Sequence, residues 1–153
     1  MAVGTLLPEN EPARETGVCC EQYDWLLSLY RSSSNENPKF RVADLLGACI
    51  SLVSFSLERQ TSLLQYLCTE YVRRPTRQAT RRCQLWPAQF ELLVELHRAR
   101  WNVPPNPRWD FDQLATGCVA ISAREDGAFS VVLHEARELL ARRGTGLRLQ
   151  SAN

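Results

Sequence analysis

Val42-Ala43-Asp44-Leu45-Leu46-Gly47-Ala48-Cys49-Ile50-Ser51-Leu52-Val53-Ser54-Phe55 is the stretch on which the fold turns. Apolar residues fall on nearly every side of a helix drawn through it, the pattern of a segment buried all round. Extended to Leu57 it carries Asp44 and three serines and is still shorter than the roughly 20 apolar residues of a membrane-spanning helix. The reading is a core helix and no membrane span. Downstream, Leu63, Leu64, Leu67, Cys68 and Tyr71 continue at helical spacing, so Phe40 to Tyr71 forms one long helix or two joined near Glu58-Arg59-Gln60-Thr61.

Working outward, Cys19, Tyr23, Leu26, Leu27 and Tyr30 recur at intervals of three and four and give an amphipathic helix that Ser32 to Pro38 ends. On the far side, Pro87 suits a first helical turn. Phe90, Leu93, Val94, His97 and Trp101 follow at helical spacing as far as Val103-Pro104-Pro105. Residues 110–115 read as a helical turn. Cys118 to Ser122 and Phe129 to Leu133 flank Asp126-Gly127, which favours a β-hairpin over 117–133, with a pair of helices, 115–124 and 128–143, as the competing assignment. A final helix from Leu133 ends at Gly144. No repeat of solenoid length is visible. The fold class is mainly α: a compact helical domain of four to five helices over 17–144, with one β-hairpin in the α+β variant. It is flanked by a disordered arm over 1–16 and a flexible tail over 145–153.

Charge is uneven. Residues 1–36 carry two Arg against six acids, and 73–109 carry eight Arg against two, within a chain of net charge +1. The segment 73–84 lacks apolar periodicity and reads as a solvated basic connector. Its guanidinium groups, Arg73, Arg74, Arg77, Arg81 and Arg82, suit phosphate oxygens or an acidic protein surface. Arg98, Arg100, Trp101, Arg108 and Trp109 would extend that surface, since Trp and Arg concentrate binding energy and bases stack on aromatics. Trp101 and Trp109, on either side of Pro104-Pro105, are the candidates for an exposed anchor; the competing reading has them closing the core.

The six cysteines lack Cys-x-x-Cys or His-x-x-x-His partners, so no metal and no cofactor is expected. Cys49 and Cys68 lie in apolar stretches and are expected to pack as small hydrophobes. No thiol is singled out to pair with His97 or His134, so no catalytic residue is assigned, and His97 is read as a partly buried packing residue. The start of the chain shows no basic and apolar signal pattern, which with unpaired thiols places the protein inside the cell, cytoplasmic or nuclear. The expected function is a non-enzymatic interaction module, a regulator or adaptor with a helical groove or an aromatic and arginine surface and an unidentified protein partner. Nucleic-acid binding through Arg73 to Arg82 is the alternative. The all-apolar helix among amphipathic ones also resembles, as a pattern and without the Asn-Trp-Gly-Arg groove motif, the Bcl-2 architecture, which implies a death regulator.

Overall fold

The computed structural model describes residues 14–73, 79–106 and 108–152, the side chains of 73 and 144–152 excepted. In chain order come β1 (Arg14–Cys19), α1 (Cys20–Tyr30), α2 (Val42–Ser54), α3 (Leu57–Thr69), β2 (Thr80–Leu85), α4 (Pro87–His97), α5 (Phe111–Ala123) and α6 (Ala128–Ala152). Six α-helices dominate the described residues, so the mainly-α class holds, with a single two-stranded antiparallel sheet among them.

The sheet is not where the sequence suggests. It pairs β1 with β2, in register from Arg14 with Leu85 to Cys19 with Thr80. Residues 14–16, read as part of the arm, and 80–84, read as connector, are therefore strand. The strand signal in β2 is Cys83 and Leu85 buried, with Arg82 and Gln84 exposed between and beside them. That alternation spans too few residues to show beneath the arginines.

Residues 117–133, favoured as a hairpin, are instead the end of α5, a turn and the start of α6. Asp110 and Gln113 cap α5 reciprocally: Asp110 Oδ1 accepts from Gln113 N at 2.8 Å and Gln113 Oε1 accepts from Asp110 N at 2.8 Å. Leu114 to Ser122 are buried without interruption, and a run buried on every face has no period with which to declare itself. Asp126-Gly127 does turn the chain, with Gly127 at φ 67°, but between two helices. Nor does Gly144 end α6, which runs to Ala152 through the stretch expected as a tail; a glycine inside a helix costs about 1 kcal/mol, which need not terminate it. The long central segment divides at Phe55-Ser56, three residues before the expected joint, because Ser56 Oγ accepts from Arg59 N at 3.1 Å and caps α3.

The eight elements form two copies of one plan. β1 and β2 have 6 residues each, α1 and α4 have 11, α2 and α5 have 13. Each half continues into a third helix, α3 or α6. Matched positions lie 67 residues apart up to the loop before the second helix: Gln22 with Gln89, Leu26 with Leu93, Leu29 with Leu96, all buried. Beyond that loop, which is two residues longer in the second half, Leu45 matches Leu114 and Cys49 matches Cys118, all fully buried. Few identities survive and the spacing shifts midway, so the sequence alone hides the duplication.

The loop itself supplies the clearest match. Asn35, fully buried, donates from Nδ2 to Tyr30 O and Phe40 O at 3.0 Å each and accepts from Phe40 N at 2.8 Å. Asn102, fully buried, donates to His97 O at 2.9 Å and Trp109 O at 3.1 Å and accepts from Trp109 N at 2.7 Å. Each asparagine thus ties the end of the first helix to the strand-like entry of the second, and Phe40 and Trp109 plug equivalent places in the core.

The halves interlock. α2 and α5 pack on each other at the centre, yet α6 lies more on α2 than on α5, and α3 more on α5 than on α2. One hydrophobic cluster runs through both halves. The outer edge of β1 is closed by α5: Gly17 N donates to Asp112 Oδ1 at 2.8 Å and Cys19 N to Thr116 Oγ1 at 3.0 Å. Two strand residues advance about 7 Å and four helical residues about 6 Å, so alternate strand amides meet side chains one turn apart. A Cβ at Gly17 would sit 2.6 Å from Asp112 Oδ2, so a larger residue there would push this carboxylate away from the strand.

The cysteines divide sharply. Cys49, Cys83 and Cys118 are buried, and burial pushes the Cys49 and Cys83 thiols up to about 12 and raises that of Cys118 as well. Cys68, expected in the core, is exposed, because α3 turns Leu63, Tyr66 and Leu67 inward and presents the next position to solvent. A thiolate-selective reagent applied to the native protein should therefore label Cys68 first, and Cys49, Cys83 and Cys118 only on unfolding. Mass spectrometry of the labelled peptides against time reads this order.

Candidate interaction groove

The arginines singled out from the sequence do not form one free basic face. The Arg73 backbone lies in a short 3-10 turn, Tyr71–Arg73, while Arg74 and Arg77 fall outside the described residues. Arg81 stacks its guanidinium over Tyr23, 5.4 Å from the ring centre. Arg82 stands 3.9 Å from Glu15 and 3.6 Å from Asp112. Arg98 and Arg100 are exposed at the end of α4 and in the turn after it, and Arg108 reaches back to His97 Nδ1 at 3.2 Å. The charge excess of the segment is thus partly answered by carboxylates, Glu15 from the first half and Asp112 from the second.

The two tryptophans belong to the fold. Trp109 is only 7% exposed and meets Tyr71 edge-on at 6.3 Å, so it is a core residue and not an exposed anchor. Trp101 is half-buried, with Nε1 donating to Gln60 Oε1 at 3.4 Å. His97 packs as expected from the sequence, its ring 4.6 Å from Phe111. Burial lowers its pKa, Arg108 adds to the shift, Asp110 opposes it and Arg98 reinforces it. A base whose folded pKa lies below its ordinary 6.5 binds fewer protons folded than unfolded in between, so stability rises with pH through that window and levels off above 6.5. Urea midpoints measured across the window should show this rise in the wild type and a flatter profile in His97→Gln.

What the sequence did not single out is an apolar groove at the C-terminal end of α2. Phe55, counted there with the buried run, is 72% exposed. It caps α2 after the last buried residue, Val53, and stands beside a groove of about 300 Å³ whose floor and walls come from Ala88, Gln89 and Leu92 of α4 and Leu139 of α6. Leu57, 83% exposed, opens α3 two residues on. Arg142 and Arg143 of α6 complete the lining. Arg143 is held from below: its guanidinium lies 4.2 Å over the Trp86 ring and 3.5 Å from Asp44 Oδ1, while Trp86 Nε1 donates to the same oxygen at 3.1 Å. Burial lowers its pKa and Asp44 pulls the other way. Arg142 is exposed and has no ion-pair partner among the described residues.

The duplicated plan supplies an internal control. The equivalent groove in the other half is lined by Glu21, Gln22 and Trp25 of α1 and by Val119, Ala123 and Arg124 at the end of α5. Arg124 occupies the position of Phe55, and it is fully engaged, donating to both Glu70 oxygens at 2.6 Å and lying 5.1 Å over the Tyr66 ring. The same framework therefore ends one central helix in a satisfied ion pair and the other in a bare phenylalanine.

No protein family, curated protein or solved structure matches this chain. Among the described residues no three or more His, Cys, Asp or Glu side chains gather where a metal ion could sit, and no helix is long and apolar enough to cross a membrane. The polar grooves between α3 and the α5–α6 turn are spanned by ion pairs of the protein itself, Arg59 Nη2 to Glu125 Oε1 at 2.8 Å and Arg124 to Glu70.

Proposed function

We propose that this chain is a non-enzymatic protein-interaction module, a regulator or adaptor, that receives an apolar segment of another protein in the groove between α2, α4 and α6. One observation carries the reading: Phe55 is 72% exposed at a position where the matched half places a fully bonded arginine, so the framework does not demand an apolar residue there. An aromatic side chain beside an open apolar groove is the form of an interface anchor. The arginine surface supports it less, because Arg81 and Arg82 are engaged by Tyr23, Glu15 and Asp112. Six cysteines without a disulfide among them support a reducing compartment, cytoplasm or nucleus.

The test compares proteins captured from cells by the wild type, by Phe55→Ala and by Asp24→Ala, an exposed change on α1 in the other half. Both variants alter exposed side chains and should stay within about 0.5 kcal/mol of wild-type stability. A set of proteins should be lost with Phe55→Ala and kept with Asp24→Ala. Equal recovery by all three would remove the groove as the interaction site.

A further inference from the structure

The groove has a chemistry of its own, and it restricts what can fill it. Resting on the reading above, we infer that its occupant is an amphipathic helical segment bearing a carboxylate beside its apolar positions. The charged residues in the lining are Arg142 and Arg143, with no carboxylate among them. Asp44 answers Arg143 from beneath but is itself 10% exposed and turned to Trp86, so it leaves Arg142 unmatched at the surface. In the equivalent groove the cation is matched by Glu70, and Glu21 joins the lining. One plan thus yields a self-neutralised groove and a cationic one, and an incoming carboxylate would complete in the second what Glu70 completes in the first.

The apolar part fixes the rest. About 300 Å³ lies at the small end of ligand pockets, a volume for one or two side chains of a longer segment. Its walls are two helices, α4 and α6, the arrangement into which a third helix lays residues spaced i and i+3 or i+4. At the floor Gln89 is 5% exposed, and its Oε1 accepts no hydrogen bond from the described residues. The matched Gln22 Oε1 is open in the same way, so this acceptor belongs to the shared plan and not to the groove's selectivity. A nucleic acid could stack a base on Phe55 but brings no aliphatic side chain to fill the groove between Leu92 and Leu139, which favours a peptide.

The experiment is selection of a displayed random library of 16-residue peptides on the immobilised full chain, followed by affinity measurement on the peptides recovered. Enriched peptides should carry large apolar residues three or four apart with Asp or Glu alongside. Phe55→Ala should weaken them about tenfold or more, as truncation of an interface anchor does. Arg142→Glu should weaken them by a similar factor, added salt should lower wild-type affinity, and Arg142→Lys should restore most of the loss. Peptides that need Phe55 but are neutral or basic, or that ignore Arg142→Glu, would overturn the carboxylate and leave the groove standing. Recovery of no peptide sensitive to Phe55→Ala would remove both. Self-association of the chain that Phe55→Ala abolishes would make a second copy the occupant and overturn the inference as well.

Discussion

Asn102→Ala should lower stability by about 3–5 kcal/mol, read as a drop in the urea midpoint with little change in slope. The side chain is fully buried and joins three backbone groups, His97 O, Trp109 O and Trp109 N. Truncation leaves all three without their partner, and each buried orphan costs about 1–3 kcal/mol, so even partial relaxation leaves a large fraction of the 5–15 kcal/mol of a typical domain. Asn102→Asp separates hydrogen bonding from shape. It keeps the acceptor for Trp109 N but replaces the one nitrogen that makes both donations with an oxygen repelled by His97 O and Trp109 O. The introduced carboxyl must then titrate above its ordinary value, and its destabilisation should grow as pH rises through that range and shrink in acid. If Asn102→Asp were indifferent to pH, the three-bond account of this loop would fail.

Gly117→Val should cost about 3 kcal/mol by the same measurement. Gly117 lies in the middle of α5 where α3 crosses it, and a Cβ built there collides with Leu63 Cδ1 and stands 3.6 Å from both Leu67 and Tyr66. Leu63 and Leu67 are fully buried, with no room to retreat. Overpacking of this kind typically costs about 1–3 kcal/mol, and a second branch on the Cβ takes the upper end. Gly117→Ala should cost less, because replacing a helical glycine returns about 1 kcal/mol of propensity. Since α3 belongs to the first half and α5 to the second, Leu63→Ala in the Gly117→Val background should recover stability, and a purely additive double variant would contradict the contact.

How far the sequence reveals this fold follows from which signals are periodic. α1, α3 and α4 each turn a repeating apolar stripe to the core, and 3.6-residue spacing exposes them, whereas α2 was legible from the length of its all-round apolar run. β1 and β2 pair across more than sixty residues, and what aligns them includes Asp112 and Thr116 on a helix remote in sequence, which no local pattern records. Cys118 to Ser122 failed for another reason: continuous burial erases the difference between strand and helix, and the decisive Asp110–Gln113 box lay upstream of the run. The groove was illegible because Phe55 belongs by composition to the apolar run, and only the bend at Ser56 turns it outward. The pairing of Asn35 with Asn102 was readable in principle, since each stands five residues after a helix end and ahead of an aromatic. Setting the two loops side by side, with a two-residue slip, would have shown the duplication.

The exchange of third helices between halves also sets an order of events in the cell. α2 is among the first helices to leave the ribosome, yet it is covered by α4 and α6 from the second half. Synthesis proceeds at about 5–20 residues per second, so the eighty-odd residues between the end of α2 and the core-facing part of α6 occupy roughly ten seconds. During that interval the most apolar stretch of the chain has only its own half to shelter it. Nascent chains halted after α3 should therefore recruit chaperones and be cut readily by protease, and both vulnerabilities should end together once α6 is free to close.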